Sequence, residues 1–128
     1  MKRLNILLVD DELEFITALA RRLEMRDFQV EIETNGEDAI TKLEEGVFDV
    51  LILDVLMPDI GGIDVLRRIR SSSIKTKIIL LSGHGSTKDG IEGMHLGASD
   101  YLVKPVDIEE LTQRILKISN EEITIVIL

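Results

Sequence analysis

The stretch LNILLVDD, residues 4–11, is a mostly apolar run that ends in two aspartates, Asp10 and Asp11. Three later segments also place a polar side chain at the end of an apolar run: Asp54 after DVLIL, Ser82 after KIILL, and Lys104 in YLVKP. The carboxyl ends of parallel strands meet at one edge of a sheet. We therefore expect these five side chains to converge, although they are far apart in sequence.

Alternating strand-like and helix-like patterns predict an α/β domain with a doubly wound parallel sheet. The predicted strands cover residues 4–9, 28–33, 50–53, 77–81 and 101–103. The first, third and fourth are nearly continuous apolar runs, as expected for central strands that are covered on both faces. The second, FQVEIE, alternates and is typical of an edge strand. These textures favour the strand order 2-1-3-4-5, which makes strands one and three neighbours.

Apolar residues at helical spacing predict a helix after each strand. The clearest stripes are Phe15, Ile16, Leu19, Ala20 and Leu23; Ala39, Ile40 and Leu43; Ile63, Leu66 and Ile69; and Ile108, Leu111, Ile115 and Ile118. The fourth helix, at about residues 86–96, has a weak pattern, and five of the nine glycines fall between residues 83 and 97. Interior glycine destabilises a helix, so this helix is either loosely held or short with glycine caps.

Composition excludes several classes of protein. A chain of 128 residues fits one ordinary domain, and the lack of cysteine excludes disulfides and thiolate metal sites. A formal charge of −9 and an aromatic content of 3% argue against a nucleic-acid surface. No apolar run reaches the length of a membrane span, and MKRLNILLVDDE turns acidic too early for a signal peptide. We expect a cytoplasmic protein that is not inserted in a membrane.

Three carboxylates and one ammonium at a single edge indicate a site for a divalent cation and a phosphoryl group. Clustered carboxylates repel one another, and a hard cation such as Mg²⁺ relieves that repulsion through oxygen ligands. One carboxylate can then act as a nucleophile toward phosphorus. Each residue also has a local alternative. Asp10 or Asp11 can cap the helix that starts near Glu12, Asp54 can be a turn residue, and Lys104 can be a solvated charge.

The segments LLVDDE, LILDVLMPDIGG, LLSGHGS and GASDYLVKP resemble the motifs of the response-regulator receiver domain of bacterial two-component signalling, the family of the chemotaxis regulators. The resemblance covers about residues 4–119 and implies a flavodoxin-like fold with five strands and five helices. It predicts a receiver domain at residues 1–120. The remaining residues, 121–128, form an apolar tail that packs on the domain, pairs with another chain, or is the cut end of a longer protein.

The resemblance implies a phosphoacceptor and a metal site. Asp54 would accept the phosphoryl group and would also be a metal ligand. Asp11 would bind Mg²⁺ directly and Asp10 would bind it largely through water. The backbone carbonyl of Leu56 would be a further ligand.

The resemblance also implies a switch. Ser82 would supply a hydroxyl that turns toward the phosphoryl group, and Tyr101 would rotate inward when Ser82 moves. Lys104 would pair with the phosphoryl oxygens, and the Lys104–Pro105 peptide bond would be cis.

The implied function is a phosphorylation-dependent signalling switch, which accepts and loses its own phosphoryl group without turning over a free substrate. A sensor histidine kinase would be the donor. The face formed by helix four, strand five and helix five would control an output domain or a target protein, and a homodimer is a further expected assembly. The motifs look most like receivers attached to transcriptional activators or hybrid kinases. No direct binding of nucleic acid by this domain is expected.

Three other functions are alternatives. A haloacid-dehalogenase-type phosphatase needs a second aspartate two residues after the nucleophile, and this chain has Leu56 there, which excludes it. A flavin module needs a phosphate-binding loop after the first strand, and the acidic segment DDELEF would repel the phosphate. The third alternative is a receiver-like module that binds proteins without being phosphorylated. The presence of all five key residues argues against it.

Overall fold

One parallel sheet organises the part of the chain that the computed structural model describes, which is residues 3–57, 59–83 and 87–120. Its strands are β1 (Asn5–Val9), β2 (Gln29–Glu33), β3 (Val50–Asp54), β4 (Lys77–Ser82) and β5 (Asp100–Val103). Their order is β2-β1-β3-β4-β5, and every neighbouring pair is parallel. The predicted flavodoxin-like fold, strand order and edge position of the second strand are confirmed. The strand limits differ from the prediction by one residue at most.

Five helices connect and cover the strands. They are α1 (Leu13–Glu24), α2 (Gly36–Glu45), α3 (Gly62–Arg70), α4 (Thr87–His95) and α5 (Ile108–Ser119). Two of them begin at capping side chains, because Asn35 accepts the N–H of Asp38 and Asp107 accepts the N–H of Glu109. No helix in the described residues is long and apolar enough to cross a bilayer. The predicted tail, residues 121–128, lies outside the described residues.

The sheet separates two apolar cores. On one face, α1 and α5 pack over Ile6, Leu8, Ile52, Ile79 and Leu81. On the other face, α2 and α3 pack over Leu7, Val9, Leu51, Leu53 and Leu80. All five residues of β3 are buried, as a central strand covered on both faces requires. Burial of each such Leu or Ile is worth about 1.5–3 kcal/mol, so the strand that carries Asp54 is among the most firmly held in the fold.

Close packing explains two of the glycines in α4. A Cβ at Gly93 would lie 2.0 Å from Leu80 Cδ1, and a Cβ at Gly90 would lie 2.3 Å from Tyr101 Cε2. The helix therefore lies nearer to β4 and β5 than larger residues would allow. The loosely held helix remains a prediction, and Gly85 lies outside the described residues.

Candidate functional site

The carboxyl edge of the sheet gathers three aspartates. Asp10 follows β1, Asp11 is the next residue, and Asp54 is the last residue of the neighbouring β3. One carboxylate oxygen from each lies within 4.8 Å of the others. Asp10 is 0% exposed and Asp54 is 5% exposed, whereas Asp11 is open to solvent. The group can therefore hold a metal ion with two ligands fixed by the core and a third at the surface.

The electrostatics of this cluster disfavour full ionisation without an added cation. Burial, with the negative charge of Asp10 adding to it, raises the pKa of Asp54 from its ordinary value of 3.8 to about 6. Burial also raises the pKa of Asp10, although the hydrogen bond from Lys104 acts in the opposite direction. A bound cation would replace the missing solvation of both carboxylates.

Lys104 lies at the centre of the acidic side chains. Its Nζ donates a hydrogen bond of 2.7 Å to Asp10 Oδ2 and lies 3.7 Å from Asp54 Oδ1. A weaker contact of 3.3 Å reaches Glu12 Oε1, and the ammonium sits 4.7 Å above the centre of the Phe15 ring. Although burial lowers the pKa of Lys104, the hydrogen bond to Asp10 and the charge of Asp54 raise it above its ordinary value. Lys104 is thus a fixed positive charge.

Ser82 brings a buried hydroxyl to the same edge. The residue ends β4 and is 1% exposed, and its Oγ has no hydrogen-bond partner among the described residues. A buried polar atom without a partner is costly. Its position beside the acidic cluster suits a group that accepts or donates a hydrogen bond when a ligand is bound.

The family model of the response regulator receiver domain matches residues 6–116. The chain belongs to this family. The receiver domain is 38% identical to the transcriptional regulatory protein YkoG of Bacillus subtilis over 115 residues, which are 90% of this chain and 50% of that protein. It is 43% identical to the transcriptional regulatory protein CpxR of Escherichia coli over 111 residues, which are 87% of this chain and 47% of CpxR. The chain thus spans about half the length of these curated relatives.

Solved structures agree with this assignment. A response regulator receiver domain protein from Clostridium thermocellum shares 30% sequence identity and superposes with a TM-score of 0.89. The match covers 95% of this chain and 98% of that one. The receiver domain is therefore a signalling domain of the two-component type, and its relatives are transcriptional regulators.

The remaining predicted residues lie around the cluster in this receiver domain. The backbone N–H of Leu56 acts to lower the pKa of Asp54, and the Leu56 residue is 63% exposed. Tyr101 lies on β5 against Gly90 of α4, and its ring is half-buried. The Lys104–Pro105 bond is cis, as the resemblance predicted. Six of the seven predicted side chains or backbone groups thus lie at the carboxyl edge of the sheet, and Tyr101 lies within β5, while their roles stay predictions.

The local alternatives for Asp54 and Lys104 do not describe the structure, whereas Asp10 does have a local role at the start of α1. The N-cap of α1 is Glu12, whose side chain makes no capping hydrogen bond, and Asp10 instead accepts the Glu12 N–H at 2.9 Å. Asp54 is a buried strand residue, and Lys104 is paired with carboxylates. Asp10 therefore shapes the turn before α1 as well as the acidic cluster.

Two residues of this region were not foreseen. Phe15 counted only as part of the apolar stripe of α1, yet its ring lies under the Lys104 ammonium. The sequence gives Asp59, in PDIGG, no evident role, yet both of its carboxylate oxygens accept backbone N–H groups from α2. No sequence pattern predicts a contact between a loop and the start of a distant helix. The contact of Asp59 with α2 is therefore visible only in the folded structure.

Proposed function

We propose that this receiver domain accepts a phosphoryl group on Asp54 in a reaction that depends on Mg²⁺, and that a sensor histidine kinase is the donor. One observation carries the proposal. Three carboxylates within 4.8 Å, two of them buried, share an edge with a paired lysine and with a buried hydroxyl that has no partner among the described residues. Structural ion pairs alone do not require this arrangement, because its pKa shifts show a net electrostatic cost for the carboxylates.

The residues fit a hard cation. Asp10, Asp11 and Asp54 offer oxygen ligands only, and the Leu56 carbonyl is a further candidate from the loop that follows the acceptor. A bound Mg²⁺ would neutralise the carboxylates and the negative charge of the transferring phosphoryl group. Asp11, the exposed member, suits direct contact with an ion that keeps several waters.

The transfer step needs little acid–base chemistry from the protein. An oxygen of the ionised Asp54 carboxylate forms a bond to phosphorus, while the bond from phosphorus to the donor's imidazole nitrogen breaks and its electron pair stays on that nitrogen. Lys104, freed in part from Asp10, pairs with the phosphoryl oxygens. Ser82 donates its hydroxyl hydrogen to the same group, which gives this buried Oγ a partner.

The response is carried by the face of α4, β5 and α5. The movement of Ser82 leaves room for the Tyr101 ring to turn inward, and the surface of α4 and β5 changes with it. Exposed apolar side chains at Ile91, Met94 and Val103 support a docking role for this face. Its partner would be an output domain, a target protein or a second copy of the chain.

The relatives supply the rest of the proposal. They are transcriptional regulators about twice as long as this chain, which supports an output domain that binds DNA. The net charge of −9 supports the expectation that the receiver domain itself does not contact nucleic acid. A cytoplasmic location belongs to the same proposal.

Intact mass after incubation with acetyl phosphate and Mg²⁺ tests the central claim. We expect an adduct of about 80 Da on the wild-type chain, and no adduct on Asp54→Asn or after chelation of the metal. Asp64→Asn, which removes an exposed carboxylate on α3, is the matched control and should label like the wild type. A wild-type chain that takes no adduct would instead support the alternative of a protein-binding module that is not phosphorylated.

A further inference from the structure

The segment after Asp54 carries the backbone groups that the proposed site needs. We call residues 55–57 and 59–61 the acceptor loop. Its start is fixed because the Val55 N–H donates to Leu81 O at 2.9 Å, and its end is fixed because the Gly62 N–H donates to Val55 O at 2.8 Å. Between these points the loop bears Leu56, whose backbone N–H acts to lower the pKa of the Asp54 carboxyl group.

Asp59 attaches the middle of the acceptor loop to a different element. Its Oδ1 accepts the N–H of Gly36 and its Oδ2 accepts the N–H of Glu37, both at 3.1 Å. These are the first two residues of α2. Ile60 packs at the same place, since a Cβ added at Gly36 would lie 2.5 Å from Ile60 Cγ1. The loop therefore rests on the start of α2 through a side chain and a pair of hydrogen bonds.

These contacts are not needed to begin the helix. Asn35 caps α2 by itself, because its Oδ1 accepts the Asp38 N–H at 2.9 Å and its backbone carbonyl accepts the Ala39 N–H. Asp59 satisfies the two N–H groups that the local cap leaves open. Burial acts to raise the pKa of Asp59, but the surrounding backbone N–H groups, led by those of Gly36 and Glu37, lower that pKa overall. The carboxylate thus stays charged beside the positive end of the helix.

We infer that Asp59 is a positioning residue for the phosphoacceptor site. By fastening the acceptor loop to α2, it holds the N–H of Leu56 against Asp54 and holds the Leu56 carbonyl where a metal ligand is needed. The inference rests on the proposed function, because it concerns the same metal and acceptor. It concerns a residue that touches neither of them.

The chain contains its own control for this role. Asp59→Ala removes both hydrogen bonds from the loop to α2, whereas Asn35→Ala removes the local cap of the same helix and leaves the loop attached. Both variants weaken one helix start. Only the first removes the hydrogen bonds between the acceptor loop and α2. Asp59→Asn keeps one acceptor oxygen at the position of a carboxylate oxygen. It should therefore behave between the wild type and Asp59→Ala.

Three measurements on the 128-residue chain separate the outcomes. Hydrogen exchange resolved by residue reports the Leu56 amide without metal, calorimetry reports the affinity for Mg²⁺, and intact mass reports the rate of labelling by acetyl phosphate. For Asp59→Ala we expect faster exchange at Leu56 and an Mg²⁺ dissociation constant about tenfold higher, the size of effect seen for residues that orient ligands. Labelling at subsaturating Mg²⁺ should slow in proportion and recover at high Mg²⁺. Asn35→Ala should match the wild type in all three.

Each result bears on one claim. Equal exchange at Leu56 in Asp59→Ala and Asn35→Ala would overturn the inference, whether or not the chain is phosphorylated. Faster exchange with unchanged Mg²⁺ affinity would also overturn it, since the contact would then be a cap and not a positioning device. A wild-type chain that binds Mg²⁺ but takes no phosphoryl group would remove the proposed function and leave the exchange and affinity results standing.

Discussion

The two edges of the sheet bury polar groups in opposite ways. Among the described residues, four polar or charged side chains are buried: Asp10, Asp54, Thr76 and Ser82. Thr76 lies just before β4 at the amino edge, and its hydroxyl donates to Phe48 O at 2.9 Å. The other three lie at the carboxyl edge, where two carboxyl groups have raised pKa values and one hydroxyl lacks a partner.

This difference distinguishes buried polar groups that support the fold from buried polar groups that serve a binding site. A buried polar group that only supports the fold is satisfied within the fold, as Thr76 is. Within the described residues, the carboxyl edge has more carboxylates than Lys104 can neutralise and offers the Ser82 hydroxyl no partner, although the cores on both faces of the sheet hold this edge firmly in place. Sites that violate the rules of stability in this way are where function is expected. Variants that remove one polar group at a time test this difference between the two edges.

Removal of Lys104 should have the largest effect on stability. Lys104→Met leaves Asp10 and Asp54 buried without their cation, and we expect the free energy of unfolding without metal to fall by about 3 kcal/mol near neutral pH. The loss should shrink toward about pH 5, because the carboxyl groups can then take up protons. Urea denaturation followed by circular dichroism measures it, with and without Mg²⁺.

Lys42→Met is the control for this variant, since Lys42 pairs with Glu31 and Glu33 at the surface. We expect it to cost less than about 1 kcal/mol. Equal losses from both variants would mean that the carboxyl edge is an ordinary surface network, and the contrast between the edges would disappear.

Removal of the charge of Asp54 should stabilise the protein. The folded chain holds the Asp54 proton to about pH 6 and the unfolded chain only to about 3.8. The protonated Asp54 therefore contributes its full stability below the unfolded-state pKa, and the wild type loses that contribution as the pH rises through the folded-state pKa. Asp54→Asn has no carboxyl group to ionise and so does not lose this stability. Without metal we expect its free energy of unfolding to exceed that of the wild type by about 2 kcal/mol above pH 7, and we expect no difference near pH 4.

Asp49→Asn gives the matched measurement at the amino edge. Asp49 Oδ2 accepts the N–H of Asn5 at 2.8 Å, so its replacement should cost up to about 1 kcal/mol and never stabilise. A higher free energy of unfolding for Asp49→Asn than for the wild type would contradict the difference between the two edges. A lower free energy of unfolding for Asp54→Asn at neutral pH would contradict it as well.

The fold was predictable because its signals are local and repeated. Continuous apolar runs in β1, β3 and β4 mark central strands, the alternation in β2 marks an edge, and the helical stripes give the connections. The ends of elements were less well predicted. Residue 54 was expected just after its strand and is the last residue within β3, since the ladder to β4 continues through Asp54 and Leu81.

The candidate site was predictable only in part. Strand order places Asp10, Asp11, Asp54, Ser82 and Lys104 at one edge, and the sequence motifs named the same residues. The contacts of Phe15 and Asp59 were not predictable, because they depend on how a helix face or a loop meets a residue from another element. Tertiary contacts of this kind leave no periodic signal in the chain.

Removal of the Thr76 hydroxyl should destabilise the amino edge modestly. Thr76→Val keeps the shape of the side chain and leaves Phe48 O without its donor, so we expect a loss of about 1 kcal/mol, independent of metal and of phosphorylation. Chemical denaturation measures it. Thr41→Val, which removes an exposed hydroxyl that donates to Glu37 O within α2, should change stability by less than about 0.5 kcal/mol.

Removal of the Ser82 hydroxyl should have the smallest effect, and its sign should depend on the state of the protein. In the metal-free chain Ser82→Ala deletes a buried atom that has no partner, so stability should stay within about 0.5 kcal/mol of the wild type or rise slightly. With acetyl phosphate and Mg²⁺ we expect the Ser82 hydroxyl to gain a hydrogen-bond partner in the phosphoryl group. The wild type should then be stabilised more than Ser82→Ala, while Ser82→Thr, which keeps a hydroxyl, should follow the wild type. Thermal unfolding in both conditions distinguishes the two roles of Ser82. If Ser82→Ala loses as much stability in the metal-free chain as Thr76→Val does, Ser82 is structural. If the hydroxyl serves a bound ligand, the variant should lose stability relative to the wild type only when acetyl phosphate and Mg²⁺ are present.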